Sequence, residues 1–277
     1  MEASGVQRWA AAIEYDGAAF HGWQTQQEGV RTVQESLSSA LSYVADHPID
    51  VVCAGRTDTG VHGLSQIVHF DTSARRPERA WVLGSNTRLP EDINVRWVSP
   101  VPQQFHARYS ATARSYRYVF WNRPPRTALG RHRAAWVYHP LDAQRMHDAA
   151  QALVGEHDFS AFRAVACQSH TPWRHVDGIR VQRQGDLLCM DIRANAFLHH
   201  MVRNIAGVLM AVGKGEAGLD WPAQVLASRD RRQGGITAPA QGLYFVGVDY
   251  PDYPDIHRLS RPGPEPMLPG PEFRPLA

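Results

Sequence analysis

The chain has 277 residues, 43% of them hydrophobic and 20% charged, and its 29 basic and 27 acidic residues leave a formal net charge of +2. That length buries one large core or two joined ones, no apolar run approaches the length of a membrane-spanning helix, and the near-neutral charge does not by itself announce a nucleic-acid partner. Cys53, Cys167 and Cys189 are an odd count with no Cys-x-x-Cys pair, which argues against a disulfide framework or a cysteine zinc site and fits a reducing cytosol.

In chain order, residues 1–7 are expected to be flexible. The N-terminal stretch lacks a basic region followed by a long apolar segment, so secretion is not expected and a cytoplasmic location is. Residues 8–15 read as a strand ended by Asp16-Gly17. Thr32 and Glu35 form a capping-box pattern, followed by the helical stripe Val33, Leu37, Leu41 and Val44. Strands follow at 51–54 and 66–70, then a helix from Pro77 to about Asn86 and a strand at 93–98. The second half predicts a long strand at 112–121 paired with 134–138, and a helix over 141–154 stopped by Gly155. A hairpin of 176–183 with 187–193 comes next, then helices at 197–212 and 221–228 and a last strand at 243–249.

Reduced to symbols, the first half is β-α-β-β-α-β and the second is close to it with one extra strand. The expected fold class is therefore α+β: two ferredoxin-like, RRM-like halves with largely antiparallel sheets, joined around a central cleft. The boundaries are 8–105 and 106–250. From Pro251 onward eight of 27 residues are proline, so 251–277 is expected to be extended or disordered.

Arginine almost excludes lysine, since Lys214 is the only lysine among the 29 basic residues. GC-rich coding accounts for most of that skew, but not for 108–133, which holds seven arginines and no acid. Tyr109, Tyr116, Tyr118, Phe120 and Trp121 are interleaved with them, a combination that suits phosphate contact and base stacking. Strand period puts Arg114, Tyr116, Tyr118 and Phe120 on one face, where cross-strand aromatic packing is the competing use.

The stretch Ala54-Gly-Arg-Thr-Asp-Thr-Gly-Val-His-Gly63 displays Arg56 and Asp58 two residues apart between glycines. A carboxylate beside a cation stays ionised and oriented, as a nucleophile or general base requires, and a structural turn salt bridge looks the same. Gly55 and Gly60 permit positive φ there. On the helix at 197–212, a buried Arg203 needs a carboxylate partner, and Asp58 is the candidate. His199 and His200 invite a metal reading, but neighbours on a helix point apart and no acid stands at helical spacing beside them, so no metal is expected. The stretch Tyr15–Gln26 is glycine-rich with Trp23 as an aromatic hook. It lacks the spacing of a dinucleotide or phosphate loop, so no cofactor is expected.

Five blocks carry a resemblance: "GRTDTGVHG", "ARYSATARSYRY", "DFSAFRAVACQSHTPWR", "FLHHMVRNIAGVLM" and "TAPAQGLYFVGV". Together and in this order they resemble the tRNA pseudouridine synthase A family across roughly residues 8–250. The resemblance implies isomerisation of uridine to pseudouridine at positions 38, 39 and 40 of the tRNA anticodon stem-loop, without a cofactor, by a homodimer. It makes Asp58 the catalytic aspartate and Arg56 the loop arginine at the flipped base's place. Tyr116 packs on the target base, Arg203 holds Asp58 ionised, and Leu243 lines the pocket. Arg108, Arg114, Arg117 and Arg163 are candidate RNA contacts. Thr59 and Gly63 stand where the family commonly has alanine, and Arg114 where it has lysine. Two other readings are a non-catalytic RNA-binding protein and a metal-dependent hydrolase using Asp58, His62, His69, His199 and His200.

Overall fold

Apolar residues on both faces of the first strand set its place in the middle of a sheet. β1 (Gln7–Tyr15) is buried from Trp9 to Ile13 and pairs antiparallel with β3 (His62–Thr72) on one side and β4 (Ile93–Val101) on the other. The computed structural model describes residues 5–165, 167–260, 270–272 and 276. Its described residues fall into two compact units, 5–112 with 245–260, and 113–244 with 270–272 and 276.

In the first unit the strands run in the order β4-β1-β3, with the short β2 (Val52–Cys53) antiparallel on β3. α1 (Val33–Ala45) starts where its sequence says. The Thr32 hydroxyl accepts the Glu35 N–H at 3.4 Å, and Val33, Leu37 and Leu41 enter the core. α2 (Glu78–Asn86) brings Trp81 against Phe70 and Trp9, at ring separations of 5.2 and 6.0 Å. Pro77 is the residue before this helix rather than its first turn.

In the second unit β5 (Ala113–Asn122), β9 (Leu187–Ala194), β8 (Trp173–Gln184) and β7 (Gly155–Asp158) lie antiparallel in that order, and β6 (Ala135–Val137) runs parallel to β5. The helices are α3 (Ala143–Ala150), α4 (Met201–Gly213) and α5 (Trp221–Ser228). β10 (Leu243–Asp249) begins at the end of this unit and carries the chain back into the first. The whole is α+β with mostly antiparallel pairing. Among the described residues no helix is long and apolar enough to cross a membrane.

Several expectations need correction. Gln7 already belongs to β1, and residues 1–4 of the expected flexible N-terminus lie outside the described residues. The helix expected to 154 is α3 followed by a 3-10 turn at Gln151–Leu153, and Gly155 opens β7, a strand too polar to show in the pattern. The units divide after Thr112 rather than at 105, and 245–260 returns to the first. The tail is not extended from 251, because α6 (Pro254–Ser260) forms there. Proline at its start, Asp255 in its first turn and Arg258 in its last suit a short helix. It docks through buried Ile256, and the Ser260 hydroxyl donates to Val248 O at 2.8 Å. Of the remaining tail, 261–269, 273–275 and 277 lie outside the described residues.

Arg117 was a candidate RNA contact, and it is fully buried instead. Its Nε and Nη2 donate to the two Asp191 oxygens at 2.6 and 2.8 Å, and its Nη1 donates to Pro271 O at 2.6 Å. Burial opposes its charge, but the hydrogen bonds and charge of Asp191 outweigh that and hold it protonated. A guanidinium so enclosed cannot reach a phosphate. Arg117→Ala leaves Asp191 buried with Arg180, 3.5 Å away, as its one counter-ion among the described residues. Its unfolding free energy in urea is expected to fall by about 3–5 kcal/mol.

Candidate active site

Asp58 sits on the short connection from β2 to β3, half-buried, with Arg56 exposed beside it. The backbone around it is tied from both sides. Ala54 N–H donates to Ile67 O at 2.8 Å, and the Gln66 side chain accepts the Gly55 N–H and donates to the Gly55 carbonyl. Thr57 is buried, its hydroxyl 2.9 Å from that of Tyr15 and its carbonyl accepting the Trp23 N–H at 3.0 Å. Asp58 O accepts the Val61 N–H at 3.1 Å, closing a turn in which Gly60 takes a φ of 79°. The positive φ expected at Gly55 is not used.

The second side of this clasp is the glycine-rich segment after β1. Gly17 N–H donates to the buried His62 Nδ1 at 3.1 Å, and a Cβ on Gly17 would lie 1.9 Å from Val61 O. Gly22 has a φ of +90°, and its Cβ would come within 2.9 Å of Thr57 O and 3.2 Å of the Asp58 carbonyl carbon. Two glycines therefore let one backbone lie directly on the other, and buried Trp23 anchors the far end. Burial pushes up the Tyr15 hydroxyl and pushes the Cys53 thiol up to about 12, against the opposing pull of Arg56 and Arg108. Cys53 is thus a thiol rather than a thiolate at neutral pH.

In the second unit Tyr116, Arg203 and Leu243 gather around Tyr118. The Tyr118 hydroxyl donates to Pro239 O at 2.7 Å, and its ring packs on Gly242, next to buried Leu243. Burial raises the Tyr118 pKa strongly and the charge of Arg203 opposes it, which places the guanidinium close by. Arg203 is half-buried, and its Nε donates to Ala238 O at 2.9 Å. Tyr116 lies two residues along β5, 8% exposed, with Phe197 edge-on at 4.9 Å. Tyr118 and Phe120 are fully buried, so the run of aromatics on this face is core packing with Tyr116 at its end and not an open platform.

Arg108 is exposed, with its guanidinium 5.6 Å from the Tyr109 ring centroid. Arg114 donates to Asn195 O at 2.9 Å and Arg163 to Cys167 O at 2.7 Å, both half-buried. The histidines differ from expectation. α4 starts at Met201, so His199 and His200 precede it, and His200 takes a left-handed φ of 62°. Their rings consequently lie 4.0 Å apart instead of pointing away from each other. His62 and His69 are buried and serve backbone N–H groups, those of Gly17 and Ala107, through Nδ1.

A family model described as tRNA pseudouridine synthase matches residues 11–110 and 149–251, which include four of the five blocks quoted above whole and the start of the fifth, residues 107–118. The chain belongs to the tRNA pseudouridine synthase family. Relatives in this family include the tRNA pseudouridine synthase A of Citrobacter koseri, 56% identical over 256 residues, covering 92% of this chain and 94% of the relative. The tRNA pseudouridine synthase A of Salmonella typhimurium matches with the same identity and coverage. As a member of the family the protein is an isomerase.

Reading the sequence singled out Asp58 but missed its clasp: Tyr15, Gly17, Gly22 and Thr57 all position the loop. The glycines were visible as a cluster, while their packing partner was not. Gly22→Ala is expected to misplace the loop and slow pseudouridine formation on tRNA at least about tenfold. Gly29 has a similar φ of +84° with nothing within 4 Å. Gly29→Ala therefore carries the same backbone strain of about 1–3 kcal/mol and is expected to keep wild-type turnover. Thermal unfolding and single-turnover rates of the two variants separate strain from positioning.

Proposed function

We propose that this isomerase converts uridine to pseudouridine at positions 38, 39 and 40 of the tRNA anticodon stem-loop, with Asp58 as its catalytic carboxylate. The observation that carries the reading is the clasped backbone around a half-buried Asp58, a carboxylate presented in one orientation. The naming of relatives 56% identical as tRNA pseudouridine synthase A supports tRNA as substrate.

The reaction breaks the bond from N1 of uracil to C1′ of the ribose, turns the base and joins C5 to C1′. C5 loses its proton as it joins C1′, N1 takes up one proton in place of its bond to C1′, and no electrons are gained or lost. Asp58 acts either as a nucleophile at C1′ or as the base that removes the 2′ proton to give a glycal. The target base has to leave its stack, at a cost of a few kcal/mol. Arg56 is assigned to the space the base vacates, Tyr116 to the base itself, Arg203 to keeping Asp58 ionised and Leu243 to the pocket wall. Arg108, Arg114 and Arg163 are the remaining phosphate contacts of the reading.

The two units are read as ferredoxin-like halves. The antiparallel order β4-β1-β3 of the first, with the two-residue β2 antiparallel on β3 and α1 and α2 as the crossovers, supports that. The protein is proposed to act in the cytoplasm as a homodimer.

Incubation with unmodified tRNA, followed by pseudouridine-selective chemical mapping, tests the reading. Pseudouridine is expected at positions 38 to 40 and nowhere else. Asp58→Asn is expected to bind tRNA and to lose about 10²–10⁴-fold or more in rate. Product at other positions contradicts the target assignment, and wild-type turnover by Asp58→Asn contradicts the role of the carboxylate.

A further inference from the structure

Of the five aromatics interleaved with arginine in 108–133, Tyr109 alone stands largely in solvent, 76% exposed. An exposed tyrosine ordinarily turns freely, but this one tops a column of rings. Its ring lies 4.3 Å from that of His106 at an interplanar angle of 31°, and His106 lies 4.6 Å from buried His69. The column is set by backbone chemistry. His106 Nδ1 accepts the N–H groups of both Arg108 and Tyr109 at 3.2 Å, and His69 Nδ1 accepts that of Ala107 at 3.1 Å. Ser110 closes the turn with His106 in both directions, its N–H donating to His106 O and its hydroxyl accepting the His106 N–H. The Tyr250 hydroxyl fixes Ala107 O from below at 2.6 Å.

Both imidazoles must be neutral to accept at Nδ1. Burial and the charges of Arg8 and His106 bring His69 down to about 4, and burial with Arg8 and Arg108 lowers His106. The ring column is therefore uncharged at neutral pH, while the cation sits at its edge in exposed Arg108. The sheet places the foot of the column: His69 pairs with Val52 of β2, the strand that leads into the Asp58 connection.

We propose that the outer face of Tyr109 is a stacking site for the base of one unpaired nucleotide of the RNA substrate, next to the nucleotide being isomerised, with Arg108 on the adjoining phosphate. A flat ring held in advance, with a cation beside it, is what a base and its phosphate require. Every base has a π face, so such a contact adds affinity with little sequence preference. The inference rests on the proposed action on tRNA and extends it to a nucleotide that does not react.

The test compares wild type, Tyr109→Ala and Tyr109→Phe for binding of an unmodified tRNA transcript and for release of tritium from uracil C5. Tyr109→Ala is expected to raise both Kd and KM about tenfold and to leave kcat unchanged, while Tyr109→Phe stays within about twofold of wild type. Wild-type Kd and KM in Tyr109→Ala overturn the stacking site, as does an equal loss in Tyr109→Phe, which would make the hydroxyl the contact. The two claims fail separately. Tritium release by wild type with no effect of Tyr109→Ala removes the stacking site alone. Tyr109-dependent tRNA binding without tritium release removes the isomerisation and leaves the stacking site standing.

Discussion

The structure around the candidate site depends on one contact between two backbones, Gly22 lying against the carbonyls of Thr57 and Asp58. A side chain at position 22 would occupy the space those peptides need, and few residues other than glycine hold its φ of +90°. The consequence is a carboxylate whose main chain is held by β3 on one side and by the segment after β1 on the other. A short loop that leaves a carboxylate open to solvent usually trades order for access. Here access is kept, because Asp58 remains half-buried while the residues on each side of it do the anchoring.

The anchoring follows from the sheet. β1 and β3 pair over most of their length, and the register shifts between Ile13 and Tyr15, at the end where the chain leaves for Gly17. That places the Tyr15 hydroxyl against Thr57 and sets the direction of the segment that returns over the loop. The core beneath is fixed by Trp81, Phe70, Leu37 and Leu41, so the strands have no freedom to slide. Within the second unit, Pro239, Gly242 and Arg203 gather on the single buried ring of Tyr118. In both units a buried tyrosine ties chain segments distant in sequence, and its hydroxyl is satisfied in doing so.

Legibility from sequence tracked locality. α1 was readable because Thr32 and Glu35 form its cap within one turn, and α5 and β10 have the bounds their patterns predict. β7 was not, since Gly-Glu-His-Asp has no alternation and becomes a strand only by pairing with β8. α6 was masked by the surrounding prolines. At the site, Asp58 and Arg203 could be named from their motifs. The burial of Arg117 could not, because its partner Asp191 lies 74 residues away on a neighbouring strand. Strand period had put Arg114 and Tyr116 on one face, but period says nothing about which face a second layer covers. The clasp of Gly17 and Gly22 was illegible for a similar reason, since both glycines were conspicuous and their partners were remote in sequence.

The central claim is that a clasped Asp58 isomerises uridine in tRNA, and tritium release tests it most directly. Unmodified tRNA carrying tritium at C5 of uracil is incubated with wild type and with Asp58→Asn, without added metal or nucleotide. Release of tritium to water by wild type, and none by a folded, tRNA-binding Asp58→Asn, is the result predicted. Equal release by the two proteins, or none from wild type bound to tRNA, contradicts the account.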